Sequence, residues 1–364
     1  MKATQLLHNA GQSIWLDNIT RDLLNNGTLK RYIDELSVTG LTSNPTIFDH
    51  AIKNSGAYDT AIAAQLQRGK SGEELFFELA LDDITRAADL FRPLYDKTNG
   101  VDGWVSLEVS PVLAHDAAST LREAKDLHGR AGRPNLFIKI PGTKEGVPAI
   151  EEAIFAGIPV NVTLLFSREQ YMAAAEAFIR GVERRIDAGL NPNVGSVASV
   201  FVSRWDAAVA SRVPESLHNR LGIAVATRIY QAYRNLLDSP RWQRVFNAGA
   251  RPQRLLWAST GTKDPKASDI LYVKALAAPF TVNTMPEATL KALAEHTELG
   301  SILTADGGEC EKVLAQFARA EIDVHALATQ LQDEGAKSFV KSWDELMEVI
   351  ESRSAAIQKT AVVA

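Results

Sequence analysis

The sequence has almost no cysteine, since Cys310 is the single one among 364 residues. One thiol excludes an intramolecular disulfide framework and any zinc or iron–sulfur site built from several cysteines. The seven histidines show no H-E-x-x-H or similar ligand spacing, so we expect no metal. Cys310 lies between two glutamates, which disfavour a thiolate, and we interpret it as unreactive.

A strong excess of charge and a long apolar run are also missing. The 39 Lys and Arg against 44 Asp and Glu give a net charge of −5, without the basic clusters that bind nucleic acid. No apolar run approaches the ~18–20 residues that span a bilayer. The first residues carry no signal-peptide segment. We therefore expect a cytoplasmic protein that binds neither nucleic acid nor membranes. The oligomeric state stays open, a homodimer included.

Short β-prone runs alternate with segments of helical period along most of the chain. This alternation predicts βαβ units and a parallel sheet, and eight strands are the number that closes a (β/α)₈ or TIM barrel. An open doubly wound sheet is the main alternative, but its G-x-G-x-x-G fingerprint is missing after the first strand. The predicted strands are Ser13–Asp17, Gly40–Asn44, Trp104–Ser110, Leu136–Pro141, Pro159–Phe166, Val194–Ser203, Arg254–Gly261 and Phe280–Met285.

The sequence therefore predicts an α/β protein with one (β/α)₈-barrel domain over residues 1–364. No repeat, linker or low-complexity tract divides the chain. The barrel strands occupy about residues 13–285. Residues 286–364 are expected to form additional C-terminal helices outside the barrel, for example Lys312–Ala320 and Lys341–Ser352.

Polar side chains recur on one face of the predicted strands, near their C-terminal ends. Strand side chains alternate between two faces, and the C-terminal end of such a barrel is where catalytic residues gather. A single charged residue there is often a solvent-exposed residue at the end of a strand. A charged side chain that points into the barrel without a partner is costly in free energy and therefore needs another explanation. Convergence of many polar groups therefore favours a site. They are Asp17, Asn44, Glu108, Lys139, Asn161, Thr163 and Ser199.

Lys139 is the most informative of these residues, because Leu-Phe-Ile-Lys-Ile surrounds it with apolar side chains. Burial disfavours the charged ammonium, and a neutral amine attacks carbonyl carbon to form a Schiff base. Glu108 and Asp17 supply two carboxylates for different proton transfers. Arg204 follows the sixth strand and offers a fork that suits phosphate, unless it is an exposed arginine at the start of a helix.

Six segments resemble the motifs of transaldolases, and the resemblance extends from about residue 13 to residue 290. No single segment is specific, but together they are. The segments are Ser13–Asp17, Gly40–Phe48, Val105–Val109, Phe137–Pro141, Asn161–Phe166 and Ala198–Arg204.

The resemblance implies a class I reaction without metal or cofactor. A dihydroxyacetone unit passes from fructose 6-phosphate or sedoheptulose 7-phosphate to erythrose 4-phosphate or glyceraldehyde 3-phosphate. By the family pattern Lys139 forms the Schiff base and Asp17 is the acid/base at the C4 hydroxyl. Glu108 acts through a water held by Thr163. The pattern also assigns substrate binding to Asn44, Asn161, Ser199, Phe201, Arg204 and Ser259. Many transaldolases carry a second phosphate arginine after strand seven, where Lys263 is the candidate here.

Two other functions stay open. A fructose 6-phosphate aldolase shares the barrel and the lysine but releases dihydroxyacetone. Those enzymes are shorter and carry Tyr at the position of Phe201 and typically Gln at that of Glu108, so both residues favour a transaldolase. The second alternative is an inactive barrel used for binding, which the joint presence of Lys139, Asp17 and Glu108 disfavours.

Overall fold

Eight parallel strands form a closed barrel in which the last strand pairs with the first. The computed structural model describes residues 1–363, with side chains described through residue 360. The predicted α/β class and (β/α)₈ barrel are confirmed. The strands are β1 (Gln12–Asp17), β2 (Val38–Thr42), β3 (Trp104–Glu108), β4 (Leu136–Pro141), β5 (Val160–Leu165), β6 (Ser196–Phe201), β7 (Arg254–Ala258) and β8 (Thr281–Met285).

Helices follow the strands around the barrel. In the described part of the chain, no helix has a stretch that is long and apolar enough to cross a membrane. The helices are α1 (Ala3–Asn9), α2 (Arg21–Asn25), α3 (Thr28–Leu36), α4 (Pro45–Asn54), α5 (Asp59–Gln67), α6 (Gly72–Lys97), α7 (Ala117–Ala131), α8 (Gly146–Phe155), α9 (Arg168–Asp187), α10 (Ser203–Val209), α11 (Leu221–Leu237), α12 (Pro240–Asn247), α13 (Leu271–Ala275), α14 (Glu287–Glu295), α15 (Cys310–Arg319) and α16 (Val324–Val363).

The barrel interior contains a layer of aromatic side chains below its polar end. The rings of Trp104 and Phe137 stack with centroids 4.0 Å apart, and Trp15 lies 6.0 Å from Phe137. Because strand side chains alternate, residues two positions further along a strand point the same way. Phe137 and Trp15 therefore precede Lys139 and Asp17 on the same inner face.

Strand β2 begins and ends two residues before the predicted Gly40–Asn44. The chain leaves the barrel after Thr42, and Asn44 becomes the N-cap of α4, where its side chain accepts a hydrogen bond from Ile47 N. Pro45 at the first helical position fixes a backbone angle suited to a helix start. The Asn-Pro pair thus ends the strand and starts the helix.

The last helix crosses the C-terminal end of the barrel. α15 packs against α11 in the outer layer, whereas α16 contacts α4, α5, α6 and β5. Gln332 on α16 donates hydrogen bonds to the carbonyl oxygens of Gly142 (3.1 Å) and Leu164 (2.9 Å), at the ends of β4 and β5. α16 extends far beyond the predicted Lys341–Ser352. Ala364, the end of the expected helical segment, lies outside the described residues.

Candidate active site

Lys139 and Glu108 form an ion pair inside the C-terminal end of the barrel. The register of β3 and β4 places the two residues side by side, and Lys139 Nζ lies 3.1 Å from Glu108 Oε2. The lysine also donates to the carbonyl oxygen of Ser43 at 3.2 Å. Lys139 is 6% exposed and Glu108 5%, so water hardly screens the pair. Burial raises the pKa of the Glu108 carboxyl, and the charge of Lys139 opposes that shift.

Asp17 supplies the second carboxylate of the site, at the end of β1. Its Oδ1 accepts a hydrogen bond of 2.7 Å from Thr42 Oγ1, which lies 2.7 Å from Thr284 Oγ1. Burial raises the pKa of Asp17, while the charge of Lys139 and the hydrogen bond from Thr42 lower it. The structure thus holds two carboxylates around one lysine in different surroundings.

Asn161 and Ser199 form a polar chain beside the lysine. Asn161 is the neighbour of Lys139 in the register of β4 and β5. Ser199 Oγ donates to Asn161 Oδ1 at 2.6 Å, and Asn161 Nδ2 donates to Ser106 Oγ at 3.2 Å. Both residues are buried, so these bonds fix the amide orientation.

Thr163 places a buried hydroxyl at the end of β5. Among the described residues its Oγ1 has no hydrogen-bond partner. The next residue, Leu164, has φ +60°, a left-handed conformation that is rare outside glycine, and the pairing of β5 with β6 shifts register there. An unpaired buried hydroxyl beside a strained backbone is typical of a site that binds a substrate or water.

Arg204 lies in the first turn of α10, at the outer edge of the site. Its guanidinium carbon is 5.1 Å from the centroid of the Phe201 ring, and it makes no ion pair with any described residue. Burial lowers the pKa of this guanidinium, which the charge of Glu334 opposes. Arg204 and Asn44 line a cavity of about 560 Å³ with Phe339 of α16. A half-buried cation without a partner in a cavity suits an anionic group.

Two residues after β7 are predicted to bind substrate: Ser259 lies at the site, whereas Lys263 lies at the surface. Ser259 has φ +56°, and its Oγ lies 2.8 Å from the Oγ of Ser203, next to Arg204. Lys263 is exposed, and within the described residues it makes no hydrogen bond or ion pair and does not line the cavity of Arg204. Its assignment as a second phosphate cation therefore stays a prediction.

The family model of the transaldolases and fructose-6-phosphate aldolases matches residues 14–350. The chain belongs to this family. A transaldolase of Thermobifida fusca (strain YX) is 45% identical, over 97% of this chain and 98% of that protein. A transaldolase of Parafrankia sp. (strain EAN1pec) is 44% identical over 94% and 96% of the two chains, and transaldolase 2 of Nostoc sp. (strain PCC 7120) 39% over 94% and 95%. The predicted family and the predicted transferase class are confirmed.

Sequence reasoning missed the part of this transaldolase-family site that α16 contributes. The ring of Phe339 lies with its centroid 5.5 Å from Lys139 Nζ. Gly335 packs beside Arg204, since a Cβ built there would lie 3.3 Å from Arg204 Nη1. Both belong to an amphipathic helix whose buried positions follow the usual spacing, so no local signal distinguishes them. Thr42 was identifiable, because it is another polar side chain at a strand end.

Proposed function

We propose that the chain transfers a dihydroxyacetone unit from sedoheptulose 7-phosphate or fructose 6-phosphate to glyceraldehyde 3-phosphate or erythrose 4-phosphate, through a Schiff base on Lys139. The observation that carries this proposal is the buried pair of Lys139 and Glu108 at the end of the barrel where Asp17 also lies. The reaction belongs to the pentose phosphate pathway, and we propose that it occurs in the cytoplasm.

In the first step Lys139 must lose a proton before its nitrogen attacks the ketose carbonyl. Glu108, 3.1 Å away, is placed to accept that proton. Attack gives a carbinolamine, whose hydroxyl leaves as water when a proton returns to it. The unpaired hydroxyl of Thr163 supports the water that carries protons between Glu108 and this hydroxyl. The raised pKa of Glu108 suits it to both directions of transfer.

In the second step Asp17 removes the proton of the C4 hydroxyl. The C3–C4 bond then breaks, its electrons enter the protonated imine, and the aldose phosphate departs from the enamine that remains on Lys139. Thr42 holds one oxygen of Asp17, which fixes the direction of the carboxylate. Addition of the acceptor aldehyde reverses these steps, and hydrolysis of the new imine releases Lys139.

The remaining residues hold the sugar. Asn161 and Ser199 face the three-carbon unit as a fixed pair of hydrogen-bonding groups. Asn44 uses its oxygen to cap α4, which leaves its amide nitrogen as a donor. Arg204 and Ser259 bind the phosphate, with Phe201 packed under the guanidinium. Lys263 is the candidate second cation.

The test is an assay of fructose 6-phosphate with erythrose 4-phosphate, with borohydride trapping of the intermediate. Borohydride reduces the imine to a stable amine, so the three-carbon adduct should appear on the peptide that contains Lys139. Lys144, three residues beyond β4, is the matched control, and Lys144→Ala should trap normally. An adduct on Lys144 or Lys263 would contradict the assignment of the Schiff-base lysine.

The family also contains fructose 6-phosphate aldolases, and the same assay separates the two reactions. We favour transfer, because fructose 6-phosphate aldolases carry Tyr at the position of Phe201 and typically Gln at that of Glu108. Release of dihydroxyacetone at the rate of donor consumption would establish an aldolase instead. A protein that traps no adduct and turns over neither substrate would be an inactive barrel.

A further inference from the structure

A second cavity lies at the opposite end of the barrel, where the strands begin. It has a volume of about 900 Å³ and is lined by the first residues of β1, β3, β6 and β7. We call it the N-terminal cavity. Trp15, Trp104 and Phe137 form its inner wall, where they are 0%, 5% and 2% exposed, so the aromatic layer beneath the active site closes this cavity from within. Its volume lies within the range of about 300–1,000 Å³ typical of small-molecule sites.

Large apolar side chains stand exposed around this cavity. Phe280 is 62% exposed, Phe246 51% and Val101 49%, and all three line the N-terminal cavity. Phe280 also has φ +60°, a conformation that a bulky residue adopts only when its surroundings impose it. Two hydrogen bonds hold this backbone: Phe280 N donates to the carbonyl oxygen of Gly11 at 3.0 Å, and the carbonyl oxygen of Phe280 accepts from the Tyr233 hydroxyl at 3.0 Å. The fold thus holds an aromatic ring in water beside an aromatic-lined cavity.

The charged groups of the N-terminal cavity are mainly positive. Arg254 is paired with Asp102 at 3.4 Å, but Arg251 makes no ion pair with any described residue. The Nε atom of Arg234 is buried without a hydrogen-bond partner among the described residues, and its guanidinium carbon lies 5.9 Å from the Phe280 ring centroid. Asp238 is the other carboxylate that lines the cavity. Arg234 Nη1 donates to the hydroxyl of Tyr230 at 3.1 Å, so Arg251 and the remaining donors of Arg234 are available to an anionic ligand.

We propose that the N-terminal cavity is a second binding site, for a small ligand that combines an aromatic ring with an anionic group. The ring would pack on the exposed side chains of Phe280 and Phe246, and the anion would meet Arg234 and Arg251. None of these residues belongs to the active site. The proposal is therefore independent of the reaction proposed above.

The probe for this site is anilinonaphthalene sulfonate, which carries aromatic rings and one negative charge. The full chain should bind one equivalent, and tryptophan fluorescence should be quenched by energy transfer because Trp15 and Trp104 line the cavity. Phe280→Ser and Arg251→Ala remove one element of recognition each and should raise the Kd of the probe at least tenfold. Circular dichroism verifies that each variant is folded. Arg251→Ala alone decides the question if Phe280→Ser does not fold.

Two matched variants distinguish this site from other places where the probe could bind. Ile302→Ser changes an exposed apolar residue elsewhere, and Arg204→Ala changes the cation of the active-site cavity, so both should leave the Kd within twofold. Three outcomes would overturn the proposal. They are the absence of saturable binding, a loss of binding in Arg204→Ala instead of Arg251→Ala, and a change of oligomeric mass by light scattering in Phe280→Ser. The last outcome would make this face an interface between copies of the chain.

Discussion

At the scale of single residues, the buried pair of Lys139 and Glu108 costs folding free energy but places a proton acceptor beside an amine. Removing an ion pair from water is costly, and removing one partner of such a pair typically costs about 3–5 kcal/mol. A purely structural role would be served as well by apolar side chains of similar volume. A catalytic role explains the buried carboxylate, because the raised pKa of Glu108 suits it to accept a proton from the amine.

Glu108→Gln and Asp17→Asn should fail at different steps. Glutamine cannot accept the proton of Lys139, so imine formation should slow, whereas Asp17→Asn should form the imine but cleave C3–C4 poorly. General acid–base groups contribute about 10²–10⁴-fold, so each loss of turnover should be large. Rapid mixing with borohydride measures imine formation separately from turnover. Turnover within a few-fold of the wild type in both variants would contradict these roles.

Arg204→Ala should raise the KM for phosphorylated sugars. A charged hydrogen bond left unmade costs roughly 1.5–3 kcal/mol, which corresponds to ~10–150-fold in affinity. Dihydroxyacetone as an unphosphorylated donor should be affected little. Lys263→Ala should have a smaller effect, because Lys263 is exposed and outside the cavity. The exposed Arg212 gives a matched control, and equal losses for both kinds of substrate would assign Arg204 to the fold.

At the scale of helices and strands, α10 joins the Arg204 end of the candidate site to the outer layer. The helix carries Arg204 toward the cavity and Asp206 into the interior. Asp206 accepts hydrogen bonds from Leu221 N (2.8 Å) and Gly222 N (3.2 Å), at the start of α11, and from the Tyr272 hydroxyl (2.9 Å). The carboxylate of Asp206 therefore joins α10, α11 and α13 behind Arg204.

Asp206 should make stability depend on pH in a defined direction. Burial raises its pKa from 3.8 to about 6, so the folded state binds more protons than the unfolded state between these values. Its contribution is fully present below the unfolded value and is lost as pH rises through about 6, up to about 3 kcal/mol. Asp206→Asn should lack this dependence. Urea unfolding at about pH 4.5 and about pH 7.5 measures it, with the exposed Asp344→Asn as control.

Gly335→Ala should impair phosphate binding while the helix stays folded. A Cβ there would lie 2.9 Å from Leu164 Cδ2 and 3.3 Å from Arg204 Nη1, so α16 or the arginine must move. We expect the KM for phosphorylated donors to rise several-fold. Gly129→Ala in α7 is the matched control, since its Cβ meets nothing within 4 Å and alanine should stabilise that helix by about 0.5–1 kcal/mol. An unchanged KM in Gly335→Ala would show that the contact has no role in binding.

At the scale of the whole molecule, the barrel was predictable from sequence and the closure of its mouth was not. The polar side chains of the strands follow a period of two, and this pattern alone predicts Lys139 and Glu108 as site residues. The β-prone run Gly40–Asn44 predicts that Asn44 lies on a strand, whereas the residue caps α4. The approach of α16 to the site joins residues about 200 positions apart, as with Phe339 and Lys139. Such a contact depends on the packing of the complete barrel and leaves no local pattern.

Phe339→Ala should change the fate of the three-carbon intermediate. Its ring lies over Lys139, 6.5 Å from the Phe201 ring, and Gln332 and Thr46 fix the helix on either side of it. Without the ring, water reaches the imine more easily, so a larger fraction of turnovers should end in hydrolysis. The measurement is dihydroxyacetone released relative to sedoheptulose 7-phosphate formed from fructose 6-phosphate and erythrose 4-phosphate.

Removal of a buried aromatic ring also costs about 3–5 kcal/mol, so folding must be verified by circular dichroism. Phe339→Leu keeps most of the apolar volume and should give an intermediate ratio of release to transfer. Val340→Ala, on the neighbouring position of α16, should give the ratio of the wild type. If Phe339→Ala slowed release and transfer equally, the ring would only stabilise the helix. If release of dihydroxyacetone rose while transfer did not, the ring of Phe339 on α16 would be what keeps water away from Lys139 on β4.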